Sequence, residues 1–357
     1  MRLAVLAPLL ALGCSTAAMH PPSPPVSPPS ASSAAASSAT TGRIATGRGG
    51  PEALDLAAGD AAFEREEWSA ALAAYERAAK VAPTAAEPVL GIARAKLAAA
   101  EVPEGVAAAT GDPTALAVAA MLDEAWRRHP TDARLALELG RTLLVAGELS
   151  RARGPLEEAA RLAPKDAEAL STHGIALLVA GERDAAVAAL SRAAAMEPKS
   201  AERRSNLATA ELQAGRLADA IVSYHEAARL APKSAAIRTS LGTALLQAGD
   251  VAGALPELEA AVALEPTRAT AWNNLGFAHQ LHGDLPRARQ DYGRALELDP
   301  RLVSGLLNAA AVTAKLGDLR GAREHLERAR AVDAEDPRVM GLDRELRELE
   351  ASSTRGR

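Results

Sequence analysis

His279 and His282 stand three residues apart, a spacing that sets two imidazoles on one helix face and would suit a pair of metal ligands. No third ligand is fixed near them, and the other histidines are scattered along the chain. The pair therefore reads as a packing residue and a surface residue. No nucleophile elbow, Walker loop or paired-carboxylate motif is present, and Gly47-Arg48-Gly49-Gly50 meets the spacing of neither phosphate motif. Trp68, Trp126 and Trp272 read as core aromatics. The carboxylates of the stretch 337–350 alternate with arginines at helical spacing, as in Arg344 with Glu348, which describes a solvated helix face. We expect no enzyme, no cofactor, no metal and no small-molecule substrate. What remains is hydrogen-bonding chemistry: Asn206, Asn274 and Asn308 recur at one register, and an amide offers both a donor and an acceptor.

The elements that must position such groups are helical. Hydrophobic residues make up 48% of the 357 positions but aromatics only 2%, and alanine supplies much of the apolar count. Alanine has the best helix propensity and lets backbones approach, whereas a large sheet would want valine, isoleucine and aromatics. The net charge is -5, from 40 basic and 45 acidic residues, which argues against nucleic acid as a partner.

The N-terminus reads as an export signal. Leu3 to Leu12 is an apolar run behind Arg2, about half the length a membrane-spanning helix needs. It ends in Leu10-Ala11-Leu12-Gly13-Cys14, which resembles the bacterial lipobox. The resemblance implies lipidation of Cys14, the sole cysteine, and a membrane anchor. Ser15 in place of aspartate implies the outer membrane, with the protein facing the periplasm. Ordinary cleavage near Ala17 or Ala18 is the alternative, and would remove Cys14. Residues 15–51 are rich in proline, serine and alanine and read as a disordered tether. At about 3.1 Å per residue it would reach up to about 100 Å.

Prolines stand at Pro130, Pro164, Pro198, Pro232, Pro266 and Pro300, an unbroken spacing of 34. A fixed period of this size signals a helical solenoid. Twenty-four residues before each proline is a small residue: Gly140, Gly174, Ala208, Gly242, Gly276, with Ala310 before the next boundary. Seventeen before is a glycine, from Gly147 to Gly317, and eight before is a large residue: Leu156, Leu190, Tyr224, Leu258, Tyr292, Leu326. The mid-unit glycine ends a first helix, the small residue lets two helices touch, and the proline stops the second helix. Asp132, Asp166, Ser200, Ser234 and Asp336 are placed to cap the helices that follow.

This pattern resembles the tetratricopeptide repeat, best in Trp272-Asn273-Asn274-Leu275-Gly276 with Gly283, Ala288, Tyr292, Ala295 and Pro300. The resemblance implies an all-α, right-handed α-solenoid of about eight helix-turn-helix repeats. They span 52–336 as 52–85, an irregular 86–132, 133–166, 167–200, 201–234, 235–268, 269–302 and 303–336. The irregular unit carries an extra stretch near 101–112. A capping helix is expected over 337–350, followed by a disordered tail, 351–357.

The family's concave inner face is where a partner is expected. Its inward positions include Asn206, Thr209, Gln213, Ser240, Thr243, Gln247, Asn273, Asn274, Gln280 and Asn308. Some family members hold an extended peptide with an asparagine ladder at the register of Asn206, Asn274 and Asn308; Ser240 interrupts it here. The lysine and arginine cluster of members that clamp a C-terminal carboxylate is missing. The resulting expectation is a protein-binding scaffold anchored in the bacterial envelope, an assembly or pilot factor for a membrane complex. An extended-peptide binder and a non-catalytic subunit of an enzyme complex are the alternatives. The anchor is checked by fractionation: Cys14→Ala moves the protein from the membrane fraction to the soluble periplasm. A variant that stays with membranes as the parent does would exclude lipidation.

Overall fold

The structure is a computed structural model that describes residues 44, 50–103 and 105–355. The export signal, Cys14 and nearly all of the 15–51 tether lie outside the described residues. Among the described residues there are seventeen α-helices and no strand. Seven helix pairs come first: α1 (Ala53–Glu64) with α2 (Trp68–Val81), α3 (Ala86–Ala99) with α4 (Pro113–Arg128), α5 (Ala133–Val145) with α6 (Leu149–Leu162), α7 (Ala167–Val179) with α8 (Arg183–Met196), α9 (Ala201–Gln213) with α10 (Leu217–Leu230), α11 (Ala235–Gln247) with α12 (Val251–Leu264), and α13 (Ala269–His282) with α14 (Leu285–Leu298). The eighth pair is α15 (Val303–Lys315) with α16 (Leu319–Val332), and α17 (Pro337–Arg355) follows it.

The chain divides into two compact units, one ending at Pro232 and the other beginning at Lys233. Within each, a first helix packs on its own second helix, and that second helix packs on the next first helix. First helices also touch in succession, α5 on α7 and α7 on α9 in the N-terminal unit, α11 on α13 and α13 on α15 in the C-terminal unit. This is the helix-pair packing of a tetratricopeptide solenoid.

Local chemistry explains the boundaries. Asp132 Oδ1 accepts from the amides of Arg134 (2.9 Å) and Leu135 (3.3 Å), and Asp166, Ser200 and Ser234 cap α7, α9 and α11 in the same way. Asp336 accepts from the amide of Arg338 at 2.8 Å. Asp250, Asp284 and Asp318 do the same for the second helices α12, α14 and α16. Each capped amide is one of the four that a helix start leaves unpaired.

The mid-unit turn closes with a left-handed residue. Gly147 has φ 77°; its amide donates to Leu144 O, and the Glu148 amide reaches back to Leu143 O. That pair of bonds is the Schellman arrangement, and it needs positive φ. The first two repeats use other residues for the same turn, Glu66 at φ 60° and Glu101 at φ 50°. Behind Glu101 the insertion runs along the end of α5. The amides of Ala107, Ala109 and Gly111 donate to the carbonyls of Leu144, Val145 and Ala146, so alternate insertion residues satisfy groups that a helix C-terminus leaves open.

The core repeats with the helices. A Cβ on Gly242 would lie 2.6 Å from Leu258 Cγ, and one on Gly276 would lie 2.8 Å from the Tyr292 ring. Gly140 faces Leu156 and Gly174 faces Leu190 in the same way. Each of these leucines, and Tyr292, is fully buried. The last helix is held by Val339 and Leu346 and by Asp343, which meets Arg323, Arg330 and Arg347. Burial works against the Asp343 charge, but the arginines outweigh it and hold its carboxyl below the usual range.

Two expectations are corrected. Helix α17 runs on to Arg355, past the predicted limit of 350, because no glycine or proline interrupts Ala351 to Arg355. Ile44, expected in a solvated tether, is buried in the first hydrophobic cluster with Leu56 and Phe63. A single branched apolar side chain gains from such burial without a core of its own.

Two substitutions check this register by thermal unfolding followed by circular dichroism. Gly242→Leu drives a side chain into Leu258 and lowers stability by roughly 1–3 kcal/mol. Glu66→Gly relieves a left-handed glutamate and raises stability, by about 0.5–1 kcal/mol after the flexibility glycine adds to the unfolded chain. An unchanged melting point for Gly242→Leu contradicts the tight crossing.

Candidate functional site

A helix residue and those three and four positions on share a face, so the flank of each first helix beside its packed stripe forms a strip along the repeats. In the C-terminal unit this strip is a chain of neutral hydrogen bonds. Asn308 Nδ2 on α15 donates to Asn273 Oδ1 on α13 at 3.1 Å. Asn273 Nδ2 donates to Asn274 Oδ1 at 3.3 Å, and Asn274 Nδ2 donates to Thr243 Oγ1 on α11 at 3.0 Å. The Thr243 hydroxyl donates to Thr239 O at 2.7 Å and that of Thr239 to Ala235 O at 2.8 Å. Each threonine returns its proton to the carbonyl one turn back, which leaves its oxygen as an acceptor. Every donor in the relay thus points from α15 towards α11. Asn273 is buried, while Asn274, Asn308 and Thr243 are half-buried.

The relay joins Thr243, Asn273, Asn274 and Asn308 and leaves the other candidates elsewhere. Gln280 Oε1 accepts from the Tyr292 hydroxyl at 3.0 Å, which turns it towards its own repeat. Ser240 is half-buried and Gln247 exposed. In the N-terminal unit, Thr209 Oγ1 lies 2.9 Å from the Tyr224 hydroxyl, and Gln213 is the half-buried last residue of α9. Asn206 departs from expectation. An open inward position is expected, yet it is 3% exposed, with Nδ2 donating to Ser171 Oγ at 3.4 Å and Oδ1 buried without a partner. Its register is the same as that of Asn308, and its amide meets Ser171 on the neighbouring α7.

The N-terminal unit also holds an ion-pair cluster that sequence reading missed. Arg203 is 5% exposed and meets Glu168, Glu197 (3.1 Å) and Glu202 (3.3 Å). Burial works against its charge, and the glutamates reverse the effect. Burial pushes the Glu202 carboxyl up; Glu168 and Glu197 add to the rise and Arg203 opposes it. Arg141 lies 3.7 Å from Glu138 and 4.0 Å from Glu168. The available signal was the recurrence of glutamate at one register, Glu168 and Glu202, one period apart.

The histidine pair separates. His279 Nδ1 lies 2.6 Å from Asp291 Oδ2 inside the seventh repeat, and His282 is exposed at the helix end. Burial raises the Asp291 carboxyl and His279 counters it. Among the described residues no group of three histidine, cysteine or carboxylate side chains could hold a metal ion, and no helix is long and apolar enough to cross a membrane. The tryptophans, expected in the core, are half-buried: Trp272 Nε1 donates to Pro266 O at 2.9 Å, Trp68 stands edge-on to Phe63 with centroids 4.8 Å apart, and Trp126 packs against the first core.

Solved structures with this arrangement share little sequence with the chain. The APC/C hetero-tetramer Cut9–Hcn1 aligns over 85% of this chain with a TM-score of 0.59 and 18% identity; the chain spans only 57% of the length of that protein. PilW, described as a widely conserved type IV pilus biogenesis factor, aligns over 59% of this chain and 97% of its own, with a TM-score of 0.55 and 18% identity. PilF of Pseudomonas aeruginosa aligns over 61% and 99%, with a TM-score of 0.52 and 19% identity. These likenesses concern the fold. A comparison with curated proteins finds no match. The tetratricopeptide repeat profile matches residues 106–167, 171–235 and 239–302, more than half of the chain. The chain belongs to the tetratricopeptide repeat family.

Proposed function

We propose that the chain is a non-catalytic protein-interaction scaffold, held to the bacterial envelope through Cys14 and serving as an assembly or pilot factor for a membrane complex. The observation that carries the binding role is the relay from Asn308 to Thr243. An amide has two donors and two acceptor lone pairs, and the relay uses one N–H of each asparagine. The remaining groups of Asn274 and Asn308 are half-buried and held in orientation by their neighbours. A partner then meets hydrogen-bonding groups that are already ordered, which lowers the cost of binding. The strip is neutral, so covering it strands no charge.

The lipobox-like Leu12-Gly13-Cys14 supports the anchor. The role of PilW as a type IV pilus biogenesis factor supports the assembly reading by analogy of fold. The neutrality of the relay also favours a second reading, capture of an extended segment by its backbone, since amides match peptide groups without demanding a side chain.

The test compares pull-downs from envelope extract. The parent is set against Asn274→Ala with Asn308→Ala, and against a control with alanine at Arg192, Glu226 and Glu259 on second helices. Asn206 is left unchanged because its burial would bring folding into the result. Losing hydrogen bonds to a partner weakens capture by roughly 0.5–1.5 kcal/mol per bond. The asparagine variant, folded by circular dichroism, loses partners that the control keeps. If it keeps them all and the second-helix variant loses them, the binding face lies on the second helices.

A further inference from the structure

We infer that the first-helix face of α5, α7 and α9 holds a cationic side chain, an arginine or lysine on a basic segment of a partner protein. The inference rests on the reading that first-helix faces hold partners, and it names the chemistry of the partner in the N-terminal unit.

Charge is the first argument. Glu138, Glu168, Glu197 and Glu202 gather on and beside these helices, and the arginines among them are Arg141 and Arg203. Four carboxylates against two guanidiniums leave the cluster two charges negative. Along the same edge Arg134 is shared between Glu87 and Asp132, so the next cation is outnumbered as well. Arg203 is buried and occupied by three carboxylates, whereas the Glu197 and Glu202 side chains are 47% and 40% exposed. The excess charge therefore faces outward at Glu197 and Glu202. Burial first, then Glu168 and Glu197, push the Glu202 carboxyl up.

Hydrogen-bonding capacity is the second, independent argument. Asn206 lies one helical turn beyond Glu202 on the same face. It is 3% exposed, its Nδ2 is engaged by Ser171 Oγ, and its Oδ1 is buried with no hydrogen-bond partner. Buried polar atoms are nearly always paired, so an orphaned acceptor marks a place where a donor belongs. Thr172 at the matching position on α7 donates to Glu168 Oε1 at 3.4 Å, so its proton is spent. The face presents acceptors and negative charge together. An ammonium brings three donors and a guanidinium five, and neither brings an acceptor. An anionic segment would meet an excess of like charge.

The test uses the full chain and three capped peptides of one sequence, bearing arginines, the neutral isostere citrulline, or glutamates at the same positions. Binding is read by fluorescence anisotropy. The arginine peptide binds about tenfold more tightly than the citrulline peptide and weakens with added salt, and the glutamate peptide does not bind. Glu202→Gln weakens the arginine peptide about tenfold, while Glu259→Ala, at an exposed second-helix position of the other unit, leaves it unchanged. The peptide comparison on the unaltered protein is independent of any effect on folding. Equal binding of the arginine and citrulline peptides overturns the inference, as does an affinity that Glu202→Gln leaves unchanged. If either occurs while the asparagine variant still loses its partners in the pull-down, the scaffold reading stands and only the cationic partner falls.

Discussion

The fold depends on one contact made again along the repeats: a large second-helix side chain seated against a first-helix position held by glycine or alanine. Leu156 against Gly140, Leu190 against Gly174, Leu258 against Gly242 and Tyr292 against Gly276 are the same event. Where the position is glycine the contact sets how near the two helices lie, because a Cβ there would collide; Ala208 and Ala310 hold it in the fifth and eighth repeats. The crossing in turn decides which flank of the first helix is left uncovered. In a solenoid each repeat touches only its neighbours, so this short-range constraint must hold separately at every step. Tyr75 shows the demand clearly: its ring fills the space beside both Gly59 and Gly91, and its hydroxyl donates to Asp60 at 2.8 Å, so the large side chain also brings a polar tip that needs a partner.

That constraint made most of the fold legible in the sequence. The slot residue, the left-handed turn, the large residue and the closing proline each answer to a local rule, and the period of 34 repeats them. The caps at Asp132, Asp166, Ser200, Ser234 and Asp336 were legible for the same reason, since an acceptor just ahead of free amides has one use. Where the local rule was broken, reading was poorer. Glu66 and Glu101 fill turn positions where glycine was the signal, and only the backbone shows them doing that work. The insertion after Glu101 has no pattern of its own; it is ordered by carbonyls of α5 more than thirty residues further on.

The positions of the candidate residues on first helices were legible in the sequence, and their hydrogen-bond partners were not. Asn274 and Asn308 are half-buried, and hydrogen bonds between neighbouring repeats do not follow the period of 34. Asn308 reaches Asn273 and Asn206 reaches Ser171, both 35 residues back, while Asn274 reaches Thr243, 31 residues back. Those offsets differ because a short side chain takes whichever neighbour is in reach. Register places an asparagine on a face, and its burial depends on the packing around it.

The ion cluster shows the same limit in a sharper form. Glu168, Glu202 and Arg203 look like ordinary helix-surface charges one by one. Only the packing of α7 against α9 turns Arg203 into a buried cation with three carboxylates around it. Removing one partner of such a group is costly, because the charge left behind has been taken out of water. The cluster therefore constrains the first-helix face of its unit twice: it fastens α9 to α7, and it fixes an excess of negative charge there. In the C-terminal unit the equivalent face is fastened by amides and hydroxyls with no charge at all. Two ways of satisfying the same inter-repeat gap thus leave two different surfaces, one with an excess of negative charge and one lined by neutral amides and hydroxyls.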